Sequence, residues 1–186
     1  MKKKLSSYML RTLAVCLMAV FCALALSGCA EKWAKDVDGT YVGDTFEIYP
    51  PQEWKYNEGK TNQVIFCTED YPTDSASYIS VGYTDEAQLE VTRKYKDDVQ
   101  SGIISSLTEQ LGDDCEAKIL VFEDTTVNGF DCIHCTTSYL NEGVAFTQDQ
   151  YTFDSSKGSV TVCFCQDSGE DFSADFKTAL DSIVIK

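Results

Sequence analysis

The stretch FDCIHC, residues 130–135, places two cysteines and the only histidine of the chain within six positions. Thiolates and imidazole are ligands for zinc and related metals, and a C-x-x-C spacing is found in thiol–disulfide exchange sites. Downstream, Cys163 and Cys165 add two thiols in the strand-like run SVTVCFC. The candidate metal set is therefore Cys132, His134, Cys163 and Cys165, and the same thiols are the candidates for redox chemistry. Little else suggests catalysis. A single histidine allows at most one histidine-based triad, and GxSxG, HExxH and a glycine-rich phosphate loop are all missing from the sequence. The acidic pairs Asp97-Asp98 and Asp113-Asp114 fall on a helix or at its end without EF-hand spacing. No catalytic residue and no cofactor is assigned, and the chain is expected not to be an enzyme.

Whether the four side chains can meet depends on the strands that carry them. Four strands are expected at 117–122, 130–139, 144–153 and 159–165, joined by turn-forming VNG, NEG and SSKG segments. With turns centred near 142 and 156, Ile133 faces Tyr151, Tyr151 faces Val162, and Phe153 meets Val160. One side then carries those apolar residues with Cys135 and Phe164. The other carries Cys132, His134, Gln150, Thr152, Thr161, Cys163 and Cys165. Cys132 and Cys135 point to opposite faces of a regular strand, so they make no redox pair. Cys163 and Cys165 share a face at about 6.5–7 Å between Cα atoms, the edge of disulfide reach. His134 and Cys163 lie about 9–10 Å apart, so zinc would need strong sheet curvature or a ligand from another element. Disulfides from this face to Cys67 or Cys115 are the other option, because six cysteines follow Cys29 and an even count permits full pairing.

Further elements frame this meander. Strands are expected at 44–49, 62–67 and 78–83, the first stopped by Pro50-Pro51. From 85 to 111 the apolar residues Val91, Tyr95, Val99, Ile103, Leu107 and Leu111 recur every four positions, which predicts a helix. Thr84 or Asp85 would cap it, Gly112 would end it, and Ser101-Gly102 could kink it. A second helix at 170–181 and a short strand at 183–185 complete an α+β chain, an antiparallel sheet flanked by helices.

The first thirty residues bear on location. Lys2, Lys3, Lys4 and Arg11 precede an apolar run from Leu13 to Leu26, which is shorter than the roughly 20 residues of a membrane span and has the dimensions of a signal-peptide core. Leu26-Ser27-Gly28-Cys29 resembles the bacterial lipobox. That resemblance implies cleavage after Gly28 and acylation of Cys29. Residues 1–28 are then a lipoprotein signal peptide that is removed, 29–38 a short tether, and 39–186 one α+β domain. Removing four basic and no acidic residues takes the formal net charge from −15 to −19. Such a surface is repelled by nucleic acid and by anionic headgroups, so the lipid on Cys29 must hold the protein at the membrane.

Phe46-x-Ile48-x-Pro50 followed by Trp54, with the closing Phe176…Leu180-x-Ser182-Ile183 step, resembles the PsbP-like domains. Those αβα sandwiches occur in photosystem accessory proteins, a Ran-binding import factor and many small bacterial lipoproteins. The resemblance implies a binding or accessory module with no shared catalytic set. The expected function is that of an extracytoplasmic, membrane-anchored lipoprotein of the cell envelope that binds a protein or small ligand. The alternative is a metal-binding or thiol-active envelope protein.

Overall fold

Three two-residue turns lay out the central sheet. The computed structural model describes residues 34–35, 39–58, 63–72 and 75–186; the leader, Cys29 and most of the tether lie outside them. Strand β7 (Lys118–Val127) turns through Asn128-Gly129 into β8 (Phe130–Asn141), which turns through Glu142-Gly143 into β9 (Val144–Ser155). In both turns the two residues have positive φ, 53° and 85° in the first and 52° and 81° in the second. That is the mirror-image turn whose twist matches paired strands, and asparagine and glycine favour it. β9 turns through Ser156-Lys157 into β10 (Gly158–Asp167). On the far side β10 pairs with β6 (Tyr78–Thr84), then come β5 (Gln63–Cys67) and β4 (Lys55–Glu58). The seven strands run β4-β5-β6-β10-β9-β8-β7, antiparallel throughout.

Both faces of this sheet are covered. On one, Val64, Phe66, Ile79, Val81, Cys132, Phe153, Val160, Val162 and Phe164 pack against Phe46, Ile48, Ala179 and Ile183. Those partners come from a small sheet of β1 (Ala34–Lys35), β2 (Tyr41–Val42), β3 (Phe46–Ile48) and β11 (Val184–Ile185), and from helix α3 (Ser173–Asp181) with the turn that follows it. Trp54 sits edge-on to Phe172 and Phe176. On the other face Ile65, Cys67, Tyr78, Cys135, Tyr139, Phe146, Cys163 and Cys165 pack under Ile103 and Leu107, which belong to helix α2 (Lys96–Leu111). The α+β sandwich of an antiparallel sheet between helices is therefore present.

The long helix differs from expectation. It begins at Leu89, as α1 (Leu89–Lys94), and breaks at Tyr95, where φ is −115° and ψ is 36°. Neither Thr84 nor Asp85 caps it. Asp154 Oδ1 accepts from the amides of Gln88 and Leu89 at 2.8 and 3.3 Å, and Ser159 Oγ also accepts from Gln88 at 2.8 Å. The helix start is thus held by residues of β9 and β10, which no local sequence signal announces. Ser101-Gly102 runs straight through α2, and Gly112 ends it as expected, donating to the Thr108 carbonyl.

Candidate functional site

The strands do not assemble Cys132, His134, Cys163 and Cys165 into one group. β9 and β10 pair as expected, Tyr151 with Val162 and Phe153 with Val160. β8 and β9 do not. His134 lies opposite Tyr151 and Cys132 opposite Phe153, one residue from the expected register. The turn is Glu142-Gly143, so its centre falls between residues and not on residue 142. A one-residue slip turns every side chain over. Cys132 and His134 accordingly face the small sheet, while Cys163 and Cys165 face α2 with Cys135. The sheet stands between the two halves of the supposed metal set. Among the described residues no three histidine, cysteine, aspartate or glutamate side chains are arranged to hold a metal ion.

The thiols are also poorly suited to redox work. All six cysteines from Cys67 to Cys165 are buried and outside any disulfide, so no bridge runs to Cys67 or Cys115. Burial pushes the thiols of Cys132 and Cys165 up to about 11 and that of Cys135 up to about 12, and raises Cys163 well above the usual thiol range. A reactive cysteine needs the opposite, a lowered pKa and access. Cys163 instead accepts a hydrogen bond from Gln148 Nε2 at 2.8 Å.

His134 has a different role. Its ring stacks on Tyr151 at 4.4 Å with 2° between planes. Nε2 lies 3.0 Å from Asp149 Oδ1 and 3.1 Å from Thr136 Oγ1, and Nδ1 lies 3.6 Å from Glu123 Oε1. A hydroxyl, an imidazole and a carboxylate on the opposite nitrogen resemble a hydrolytic triad. However, Thr136 donates its proton to Asp149 at 2.5 Å, so the imidazole is not its base. The cluster is an ion-pair knot. The hydrogen bond to Asp149 raises the His134 pKa against the opposing effect of burial. Burial pushes the Asp149 carboxyl up, but hydrogen bonds from His134 and Thr136 outweigh it and hold it below the usual range.

The sign of the pH dependence follows. The histidine contribution is complete below about pH 6.5, the unfolded value, and is lost as pH rises through the raised folded value. The aspartate contribution is complete above about pH 3.9 and is lost as pH falls through the lowered folded value. Chemical denaturation across pH is expected to show His134→Gln most destabilised relative to the parent between about pH 4 and 6.5. A difference independent of pH would exclude the ion pair as its cause.

The concave site lies on the opposite face, under the helices. A cleft of about 630 Å³ opens between α1–α2 and the sheet. Two rungs of the ladder make its floor, Thr161–Thr152–Ile133 and Gln150–Cys135–Phe122. Val91, Val99 and Ile103 form the helical wall, and Asp85, Glu86 and Asp98 also line it. At one side Arg93 Nε meets Asp124 Oδ1 at 2.5 Å, and Lys96 Nζ donates to the Phe122 carbonyl at 2.9 Å. Both links tie the helix break to β7.

The cleft follows from the unequal fate of the helix stripe. Ile103 and Leu107 are buried, whereas Val91 and Tyr95 are 50% and 46% exposed. The C-terminal half of the stripe seats on the sheet and the N-terminal half stands clear. Gly102 lines the cleft, and a Cβ built there would meet nothing within 4 Å. Glycine inside a helix costs about 1 kcal/mol relative to alanine, and no close backbone approach requires it here. The four-residue spacing predicts the helix but not which half of the stripe is seated. Gly102 at mid-helix and the polar Gln150, Thr152 and Thr161, noted in the sequence as a kink site and a polar face, are among the residues that line this space.

No family model and no curated protein matches the sequence. Solved structures do. The solution structure of cyanobacterial PsbP (CyanoP) from Synechocystis sp. PCC 6803 aligns with a TM-score of 0.56 at 14% identity, over 87% of this chain and 99% of that one. The fold is PsbP-like. A crystal structure from Bacteroides thetaiotaomicron VPI-5482 aligns at 0.53 with 10% identity over 85% of this chain, which spans 49% of that longer one. The protein of unknown function PA94 from Pseudomonas aeruginosa aligns at 0.50 with 11% identity, over 85% of this chain and 99% of that one. At such identities the likeness establishes the fold, as the Phe46–Trp54 motif led one to expect. No helix among the described residues is long and apolar enough to cross a membrane.

Proposed function

We propose that the chain is a non-catalytic binding module of the cell envelope, held outside the membrane by lipid on Cys29, with residues 1–28 removed, 29–38 as tether and 39–186 as the binding body. The observation that carries the binding role is the mostly apolar cleft beneath α1–α2. Ligand sites are concave, mostly apolar and fitted with a few polar groups, and the cleft combines Ile133, Phe122 and Val99 with Gln150, Thr152 and Thr161. Its only thiol, Cys135, is held protonated by burial, with its pKa pushed up to about 12. The mix of apolar walls and a few polar groups supports binding as the activity of the cleft.

The test uses Nile red, a neutral apolar dye whose emission rises on leaving water. The parent is expected to enhance and blue-shift that emission with a single saturable site. Gly102→Leu, which extends a side chain into the cleft, is expected to weaken binding at least fivefold. Equal binding by both proteins would place the dye elsewhere and remove the support for this cleft.

A further inference from the structure

We infer that the cleft selects a small organic cation, an apolar body carrying one positively charged group, with the body over Ile133 and Gly102 and the charge at Asp85, Glu86 and Asp98. This rests on the reading of the cleft as the binding site and adds its ligand class.

The argument is one of charge and shape. Among the described residues, three carboxylate side chains line the cleft and no lysine, arginine or histidine does. Two cations on the same helical segment are engaged elsewhere, Arg93 with Asp124 and Lys96 with the Phe122 carbonyl and ring. The negative sign at the cleft is therefore uncompensated by its own walls. The three carboxylates are exposed, whereas Ile133 and Cys135 on the floor are buried. The cleft thus offers apolar surface at Ile133, Cys135 and Phe122, beside the polar Gln150, Thr152 and Thr161, and is anionic at its mouth. An anion entering it would approach like charges, and a neutral molecule would gain only from the floor. A cation with an apolar body gains from both, through attraction that salt weakens. The half-exposed Val91 on the helical wall and the space beside Gly102 give that body a surface to cover.

A matched series decides it. Three probes share a naphthylpropyl body and end in an ammonium, an alcohol or a carboxylate, and their affinities for the full chain are measured by calorimetry at low and high salt. The ammonium is expected to bind at least tenfold more tightly than the carboxylate at low salt, with the alcohol between them. Raising the salt should narrow the ratio. The combined variant Asp85→Asn, Glu86→Gln, Asp98→Asn is expected to bring it close to one. Gly102→Leu should weaken all three, with Gly102→Ala as the control that a side chain is tolerated on the helix. Binding of all three without charge preference would overturn the cation inference and leave the cleft as the site. Absence of binding by any probe, or binding indifferent to Gly102→Leu, would overturn the site itself. Dimerisation that occludes the cleft, seen by sedimentation, would replace the small cation by a second copy of the chain.

Discussion

Gly158→Ala is expected to destabilise the fold by about 3 to 5 kcal/mol, the joint effect of a strained backbone and an overpacked contact. Gly158 opens β10 with a φ of +148°, a region that residues with a side chain rarely adopt. The steric problem is worse than the torsional one. A Cβ at this position would lie 2.0 Å from the Thr84 carbonyl oxygen and 2.8 Å from the Asp85 Cα. Both obstacles are backbone, so no rotamer change relieves them. The strands would have to part where Ser159 pairs with Thr84. That is also where Ser159 and Asp154 hold the start of α1, so the damage should extend to the mouth of the cleft. At about 2 to 4 °C per kcal/mol for a domain of this size, the melting midpoint should fall by roughly 10 °C. Thermal unfolding followed by circular dichroism measures it, with Gly102→Ala as the opposite case, neutral or more stable. A Gly158→Ala protein within 0.5 kcal/mol of its parent would show that this turn is far softer than its geometry indicates.

The contrast between those two glycines shows what the sequence made legible. Strand runs of alternating or β-branched residues located β5 to β10, because a half-covered sheet needs that pattern whatever its partners. The α+β class and the covering helices followed from the four-residue stripe and the Phe176–Leu180 spacing. Faces were harder, because they depend on half a residue in the centre of a turn. Centring the NEG turn on Glu142 and not on the Glu142-Gly143 pair reversed β8 and joined Cys132 and His134 to thiols that lie across the sheet. Asn128-Gly129 and Glu142-Gly143 share one turn type with two positive φ values, and matching them would have corrected the register. The break at Tyr95 and the cap on α1 were not legible in this way. The cap comes from Asp154 and Ser159, more than sixty positions along the chain, the links beside the break run from Arg93 and Lys96 to β7, and local propensity contains no trace of such partners.

These two tertiary effects create the cleft. If Thr84 or Asp85 had capped an unbroken helix, the expected stripe could have lain on the sheet along its whole length. Val91 and Tyr95 would then be core. Fixing the helix start to β9 and β10 and bending the chain at Tyr95 leaves the upper stripe unseated, while Arg93 and Lys96 tie the bend to β7. The same interactions that position the helix therefore keep it from closing. His134 lies outside this economy of space. Its ion pairs are on the other face, where they join β7, β8 and β9 through Glu123 and Asp149, and they act on stability and not on the cleft.

Cys29→Ala is expected to abolish acylation of the chain completely, the largest effect of any single substitution proposed. On the proposed anchoring, no other feature can substitute for the lipid. After loss of the leader the formal charge is −19, with Lys2, Lys3, Lys4 and Arg11 gone, so the surface is repelled by anionic headgroups. One acyl chain holds a protein only marginally, whereas two or more, at about 0.8 kcal/mol per buried methylene, hold it stably. Cells supplied with an alkyne fatty acid should therefore label the parent and not the variant. The parent should stay with the membrane fraction through a 1 M salt wash, where screening acts over only about 3 Å, and leave it in detergent. Mass spectrometry should find the parent beginning at Cys29 with added acyl mass, and the variant carrying residues 1–28. A parent that begins elsewhere, or a variant that retains the label, would remove Cys29 as the anchor and leave the cleft to be explained in a protein of different location.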